Sequence, residues 1–400
     1  MIDPEYSLLQ RLTETPDLFT QIPVGGGIDL RLQTRLREQF PPELVRAALT
    51  QAELRHRARD RFSLAMEMWF DRFELEQATP ELAARHKAER FSTTGQTVLD
   101  LFCGFGSNAI GLAQAGLTVT AVETTPEAGL RIELNAGIYG VRDRVDVRIS
   151  DDPLSLAADG LIHIQPRRSA AKQRSVKLEE HVPSLEQLQA LIQSGASGAI
   201  TLSSASNFGG KFNDCELELI SVNGDCREAV VWFGELRKEH AMQATLLPSG
   251  WTLSGNPWEA FGQVGPLGAY LYDPDPAIVR AGLVDVLSEH LQINRLDAAE
   301  EYFTSDERLF SPAVTTYEVL ADLPNNDRDI RNYVREHVTG DVEIRCRHVP
   351  VDASAIRRKL PVTGKSRSGE TKTTLFFARL DGKTRAIIAR KLTNDSDTDS

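Results

Sequence analysis

The chain has 400 residues, 41% hydrophobic and 7% aromatic, enough for a sizeable core and for two or three domains. A formal net charge of −12 argues against a protein that coats nucleic acid through its whole surface, and 4 cysteines without a CxxC pair or neighbouring histidines argue against a zinc site or a disulfide framework. Met1 to Gln10 carries neither a basic nor an apolar leader segment, and no apolar run nears the roughly 20 residues of a membrane helix, so a cytoplasmic protein is expected.

Residues 1–95 read as a helical N-terminal unit. Pro41, Pro42 and Glu43 open a helix whose apolar positions Leu44, Val45, Ala48, Leu49 and Ala52 recur near the helical period. Arg55, Arg57, Arg59 and Arg61 splay around the axis and read as solvated. Met66, Met68, Trp69, Phe70 and Phe73 read as packing between helices, with the cover of a cofactor pocket as the alternative. Thr79, Pro80 and Glu81 resemble a cap, a first-turn proline and an early acid, starting a helix that ends near Phe91.

Over residues 96–250 strands and helices alternate, which predicts an α/β domain with a mostly parallel, Rossmann-like sheet covered by helices. Strands are expected at Val98–Leu101, Leu117–Val122, Val145–Ile149, Leu161–Ile164, Ala199–Ser203, Leu217–Val222 and Ala229–Phe233, seven in all, the last two forming a hairpin. Helices are expected at Asn108–Ala115, Pro126–Tyr139 and Ser184–Gln193.

Gly250–Gly268, rich in Gly, Pro and Trp, reads as a linker within a connector spanning residues 251–315, which also holds a turn cluster, Leu271–Pro276, and a helix, Ala277–Leu291. Residues 316–392 read as a small α+β domain of the split βαβ kind: strand Thr316–Leu320, helix Arg328–Glu336, strand Val342–His348, helix Ala353–Lys359, and strands Thr373–Leu380 and Thr384–Ala389. Gly364–Lys372 is a basic loop, and residues 393–400 form an acidic tail without expected structure. From Asp327 to Leu392, 16 Lys and Arg stand against 8 Asp and Glu, an excess that suits either an RNA-contacting surface or a solvated face.

The stretch Val98–Ala113, VLDLFCGFGSNAIGLA, places a glycine loop between a buried strand and a helix, where open α/β sheets bind small ligands. Gly104 and Gly106 let backbone N–H groups approach a ligand. Acids recur at the following strand ends. Glu123 stands where a carboxylate accepts ribose hydroxyls, and Asp151, beside Asp152, where one accepts from an adenine amino group; Asp100 faces a ligand's ammonium. The third glycine of a dinucleotide loop is absent, and Asp100 would oppose phosphate, so the pattern favours cationic S-adenosylmethionine over a nicotinamide dinucleotide.

DLFCGFGSNAIGLA, AVETTP, NAGIYGV and RISDD resemble the cofactor motifs of class I S-adenosylmethionine-dependent methyltransferases over about Thr97–Asp152. LVRAALTQAELRHRA, IHIQPRR, REAVVWFG, LYDPDPAIVRAG and YFTSD extend the resemblance to bacterial methyltransferase-like proteins with a C-terminal THUMP-like, ferredoxin-like domain. The resemblance implies a seven-stranded methyltransferase sheet and a methyltransferase acting on RNA. It implies cofactor contacts from Asp100, Cys103, Gly104, Phe105, Gly106, Asn108, Glu123 and Asp151, and a reaction site at Gln165, Pro166 and Arg167, with no metal.

Two positions depart from the pattern. Gln165 replaces the Asp of IHIDPARR, and Ser107–Asn108 replace the usual Gly-Asp after the loop. An amide is no general base, which keeps open a catalytically inactive RNA-binding or scaffolding protein on the same fold. Arg167 and Arg168 read as phosphate contacts or as solvated strand-end residues, and His163 as a hydrogen-bonded core residue.

Overall fold

In the computed structural model, residues 4–23, 29–157, 160–168, 176–361 and 372–393 are described. By its internal contacts the chain divides into two compact units, one of Met1–Glu218 with Arg227–Glu239, the other of Leu219–Cys226 with His240–Ser400. The expected basic loop and acidic tail lie largely outside the described residues.

The first unit begins with helices α1 (Pro4–Thr13), α2 (Pro16–Thr20), α3 (Leu30–Gln39), α4 (Pro42–Ala58), α5 (Arg72–Gln77) and α6 (Glu81–Ser92). The apolar stripe of α4 behaves as its period predicts: Leu44, Val45, Ala48 and Leu49 are buried in a cluster with Leu12, Leu36 and Trp69. Arg55 and Arg61 correct the solvated reading. Arg55 donates to the carbonyls of Met68 and Glu67 at 2.9 Å and lies over the Phe19 and Trp69 rings. Arg61 holds the carbonyls of Leu75 and Ala78. Both thus tie the irregular stretch after α4 to the helices, with their guanidinium groups over aromatic rings. Thr79 is no cap either, because Pro80 occupies the N-cap of α6 and the threonine hydroxyl is used elsewhere.

From Thr97 the alternation runs β1 (Thr97–Leu101), α7 (Ser107–Gln114), β2 (Thr118–Glu123), α8 (Pro126–Ile138), β3 (Val145–Ile149) and β4 (Leu161–Ile164). A two-residue ladder, β5 (Arg167–Arg168) with β6 (His181–Val182), is followed by α9 (Leu185–Gln193) with the Ser184–Gln187 capping box, then β7 (Ser197–Ser203), β8 (Glu216–Val222) and β9 (Asp225–Phe233). Two further strands, β10 (Met242–Leu247) and β11 (Trp251–Gly255), follow and belong to the second unit. The sheet has nine strands in the order β11-β10-β8-β9-β7-β4-β1-β2-β3. All seven expected strands are in it, and the α/β Rossmann-like class stands. The hairpin of β10 and β11 is additional, so Trp251–Gly255 is strand and not linker. β1 lies between β2 and β4, parallel to both, which puts the C-terminal ends of all three at one sheet edge.

In the second unit, β12 (Tyr270–Pro274) replaces the expected turn cluster, and Asp275 caps α10 (Pro276–Arg280) by accepting from the Ala277 N–H. The expected single helix breaks, resuming as α11 (Val284–Leu291). After β13 (Asn294–Arg295), β14 (Phe303–Ser305) and β15 (Val314–Pro324) come α12 (Asp327–His337), β16 (Val342–Cys346), α13 (Ala353–Lys359), β17 (Thr373–Leu380) and β18 (Lys383–Lys391). The sheet order is β13-β14-β12-β15-β18-β17-β16. A split βαβ places one strand between its parallel pair; here β18 and β17 both separate β15 from β16, so the α+β character holds and the simple split pattern does not. Alternation along β17 supplies two cores: Phe376 and Ala378 pack with Tyr302 and Tyr317, and Leu375 and Phe377 with Ile330 and Val334 of α12.

Candidate functional site

The site forms where β1, β2 and β4 end. Beyond β1 the chain passes through Phe102, Gly104 and Gly106, with φ of 56°, 61° and 92°, into the N-terminus of α7. At Gly106 the left-handed backbone favours glycine, and a Cβ there would stand a tight 3.2 Å from the Ile132 side chain of α8. Phe102 holds the same region with a bulky side chain, a strained conformation at the lip of the pocket. Cys103 is buried, and burial pushes its thiol far above the ordinary range. Phe105 packs edge-on against Phe62 and Phe70, tying the loop to the helical layer.

Glu123, at the end of β2, is fully buried. Its Oε1 accepts from the Gly104 N–H at 2.6 Å and its Oε2 from the Thr124 N–H at 2.9 Å, so the glycine loop is fastened to the strand-end acid. The Arg167 guanidinium forms an ion pair with Oε2 and lies 3.8 Å from Glu74 of α5. Burial, and secondarily the charge of Glu123, pushes the Glu74 carboxyl up to about 7. A pocket lies over this arrangement, lined by Phe73, Glu74, Cys103, Gly104, Gln165 and Arg167 among others.

A second pocket adjoins it, lined by Gln165, Pro166, His181, Thr201, Arg227 and Glu228 among others; Gln77, Ala78, Gln165 and Pro166 border both. Beneath runs a buried polar network. Asp100 Oδ1 lies 2.7 Å from His163 Nδ1, and His163 Nε2 lies 2.9 Å from the Thr201 hydroxyl. Lys87 of α6 donates to Thr201 at 2.8 Å and to Thr79 at 3.3 Å and pairs with Glu228 at 2.9 Å, so all three ammonium hydrogens have acceptors. Burial lowers the Lys87 ammonium below its ordinary range. Thr79 donates to Glu228 at 2.8 Å. Asn108 donates to Thr79 at 3.2 Å and to Gln165 Oε1 at 2.8 Å, and the Gln165 amide donates to the Gln77 carbonyl at 2.7 Å.

The two departures from the family pattern are therefore in contact. Asn108 holds the amide oxygen of Gln165 and Gln77 takes its nitrogen, which fixes the side chain as a wall between the pockets. Of the sequence candidates, Cys103, Gly104, Phe105, Gln165, Pro166 and Arg167 line the pocket over the loop. Glu123 lies under Arg167. Asp100 and Asn108 belong to the buried network, and Asp100 does not line that pocket, so the ammonium role read for it is not supported by its position. Asp151 is exposed just beyond β3 and lines neither pocket.

Glu74, Lys87, Thr201 and Glu228 are additions to those candidates. Lys87 was open to detection, since it shares a helical stripe with Ala83, Ala84, Ala88 and Phe91, all buried. Glu228 opens the buried run of β9. Glu74 carries no such local signal.

Comparison with known proteins gives three family-model matches. Residues 95–172 match the model for RNA cap guanine-N2 methyltransferase, residues 314–391 a THUMP domain-like model, and residues 13–58 a domain of unknown function. An uncharacterized S-adenosylmethionine-dependent methyltransferase of Mycobacterium tuberculosis, found in strains CDC 1551 and H37Rv, is 28% identical over 294 residues, 72% of this chain and 80% of the relative. The crystal structure of a putative methyltransferase from Porphyromonas gingivalis W83 shares the fold with a TM-score of 0.73 and 19% identity, over 97% of this chain and 98% of that one.

Proposed function

We propose that this chain is an S-adenosylmethionine-dependent methyltransferase acting on RNA. The observation that carries the reading is the fastening of the glycine loop to Glu123 beneath a pocket that shares the Gln165–Pro166 wall with a second one. The residues fit the cofactor. The glycine loop at the sheet edge suits a nucleoside, and Glu74 in the pocket wall suits a cation better than a pyrophosphate. The methyltransferase family match and the Mycobacterium relative support the same assignment.

S-adenosylmethionine supplies an activated methyl group on a sulfonium. The chain's part is orientation and exclusion of water, because in-line displacement needs aligned reactants more than acid or base help. Gln165 and Pro166, bordering both pockets, orient the acceptor toward the cofactor side. Gln165 takes no proton. Thr201 and Glu228 at the edge of the acceptor-side pocket are both held by Lys87. RNA as substrate is supported by the matches to an RNA methyltransferase model and a THUMP domain-like model, and by the basic excess of Asp327–Leu392.

Calorimetry with S-adenosylmethionine tests the cofactor; no heat at millimolar ligand, with folded protein, refutes it. Transfer of radiolabelled methyl groups to total cellular RNA but not to protein extract tests the substrate class. The spent amide of Gln165 favours one other reading, a catalytically inactive RNA-binding or scaffolding protein that keeps the cofactor pocket. Cofactor binding with no methyl transfer to either pool would select it.

A further inference from the structure

We propose that Glu74 recognises the positive charge of the bound cofactor, a role the sequence pattern gives to Asp100. The inference rests on the cofactor reading above and goes beyond it in naming the residue and the ligand feature it selects.

Three observations lead to it. Glu74 lines the pocket over the glycine loop, and its carboxylate lies 3.6 Å from where a Cβ on Gly104 would stand. Its Oε2 is buried and has no hydrogen-bond partner, whereas both oxygens of Glu123 are occupied by N–H groups. Finally, two buried carboxylates share one guanidinium: Arg167 contacts Glu123 closely and Glu74 only at 3.8 Å. Arg131 and Asp71 also act on Glu74, with opposite signs. With Glu74 ionised the pocket is one positive charge short, and a carboxylate in a largely desolvated wall is stabilised most by a cation brought in with the ligand. Asp100 also has one buried oxygen without a hydrogen-bond partner, but its other oxygen is engaged by His163 below the loop and the residue is absent from the pocket lining.

S-adenosylmethionine has two cationic groups, the sulfonium and the amino-acid ammonium, and Glu74 can read either. The experiment separates them. Affinities of wild type and Glu74→Gln are measured by calorimetry for S-adenosylmethionine, for S-adenosylhomocysteine, which keeps only the ammonium, and for 5′-methylthioadenosine, which has neither. Removing one partner of a desolvated charge pair should weaken S-adenosylmethionine by at least about tenfold and leave 5′-methylthioadenosine unchanged. A matching loss for S-adenosylhomocysteine assigns the ammonium, and an unchanged value assigns the sulfonium. Equal losses for S-adenosylmethionine and 5′-methylthioadenosine, or no loss for either, overturn the proposal while leaving the cofactor assignment intact. If wild type binds none of the three, the cofactor assignment falls and takes the proposal with it. Thermal unfolding of the isosteric variant checks its fold, and Glu74→Asp, which keeps the charge, should recover part of the lost affinity.

Discussion

Replacing Lys87 by methionine tests whether the buried network is held together by charge. Lys87 is 2% exposed and its partner Glu228 is 4% exposed, so the substitution keeps the apolar stem and leaves a carboxylate enclosed with one hydroxyl donor, Thr79. An unpaired buried charge of this kind costs about 3–5 kcal/mol. Glu228→Gln alone should cost less, because the amide still accepts from Lys87 or Thr79. The double variant removes both charges and should recover most of the loss, giving a coupling of about 2–3 kcal/mol in the double-mutant cycle. Urea unfolding of the four proteins, followed by tryptophan fluorescence, provides the free energies; Trp232 is fully buried in the neighbouring β9. If Lys87→Met costs less than about 1 kcal/mol, or if the two substitutions are additive, the pair is not an electrostatic unit and the argument fails.

Three further outcomes follow from the geometry. Asn108→Asp removes the donor shared by Thr79 and Gln165 and should cost about 1–3 kcal/mol in chemical denaturation, with a change below a few tenths showing that the amide pair is unimportant. Gly198→Ala in β7 would place a methyl 1.9 Å from the Ile162 carbonyl and should destabilise by about 3 kcal/mol or more; a wild-type melting temperature would contradict the strand register. Glu74 has a raised folded-state pKa, about 7 against an ordinary 4.5, so the folded protein keeps a proton that the unfolded chain releases between those values. Stability of the ligand-free protein should therefore fall as pH rises through that window, by up to about 3 kcal/mol, and Glu74→Gln should flatten the profile. A wild-type profile that falls no more steeply than that of Glu74→Gln over the same window would refute the burial of Glu74.

Where the physics is local, the sequence is readable. The apolar runs of β4 and β17 and the alternation of Val145, Val147 and Ile149 in β3 mark their ends to the residue, because strand period and burial leave a direct imprint. β10 was illegible for the opposite reason: Gln243 and Thr245, both buried, satisfy each other inside the layer and interrupt the apolar signal. The site divides the same way. Gly104, Gly106 and Glu123 come from one β-loop-α-β stretch, and their spacing alone implies a cradle. Glu74 and Lys87 lie upstream; the stripe of α6 shows that Lys87 is buried but not what it meets, and α5 gives no such sign for Glu74. Asp100 was misread because its partner, His163, comes from β4, and adjacency in a parallel sheet is visible only once the strand order is known.

The reach of the Lys87 network along the chain has a consequence for how the protein is made. Lys87 waits for Thr201, 114 residues later, and Thr79 for Glu228, 149 residues later. Until β9 is translated, the Lys87 ammonium of α6 lacks the carboxylate that pairs with it directly, and only the charges of Asp100 and Glu218 act on it. That missing partner disfavours early closure of the N-terminal helices over the first strands. Completion of this layer is tied to the arrival of a single late carboxylate, and a chain stalled before residue 228 should remain open to protease along α6.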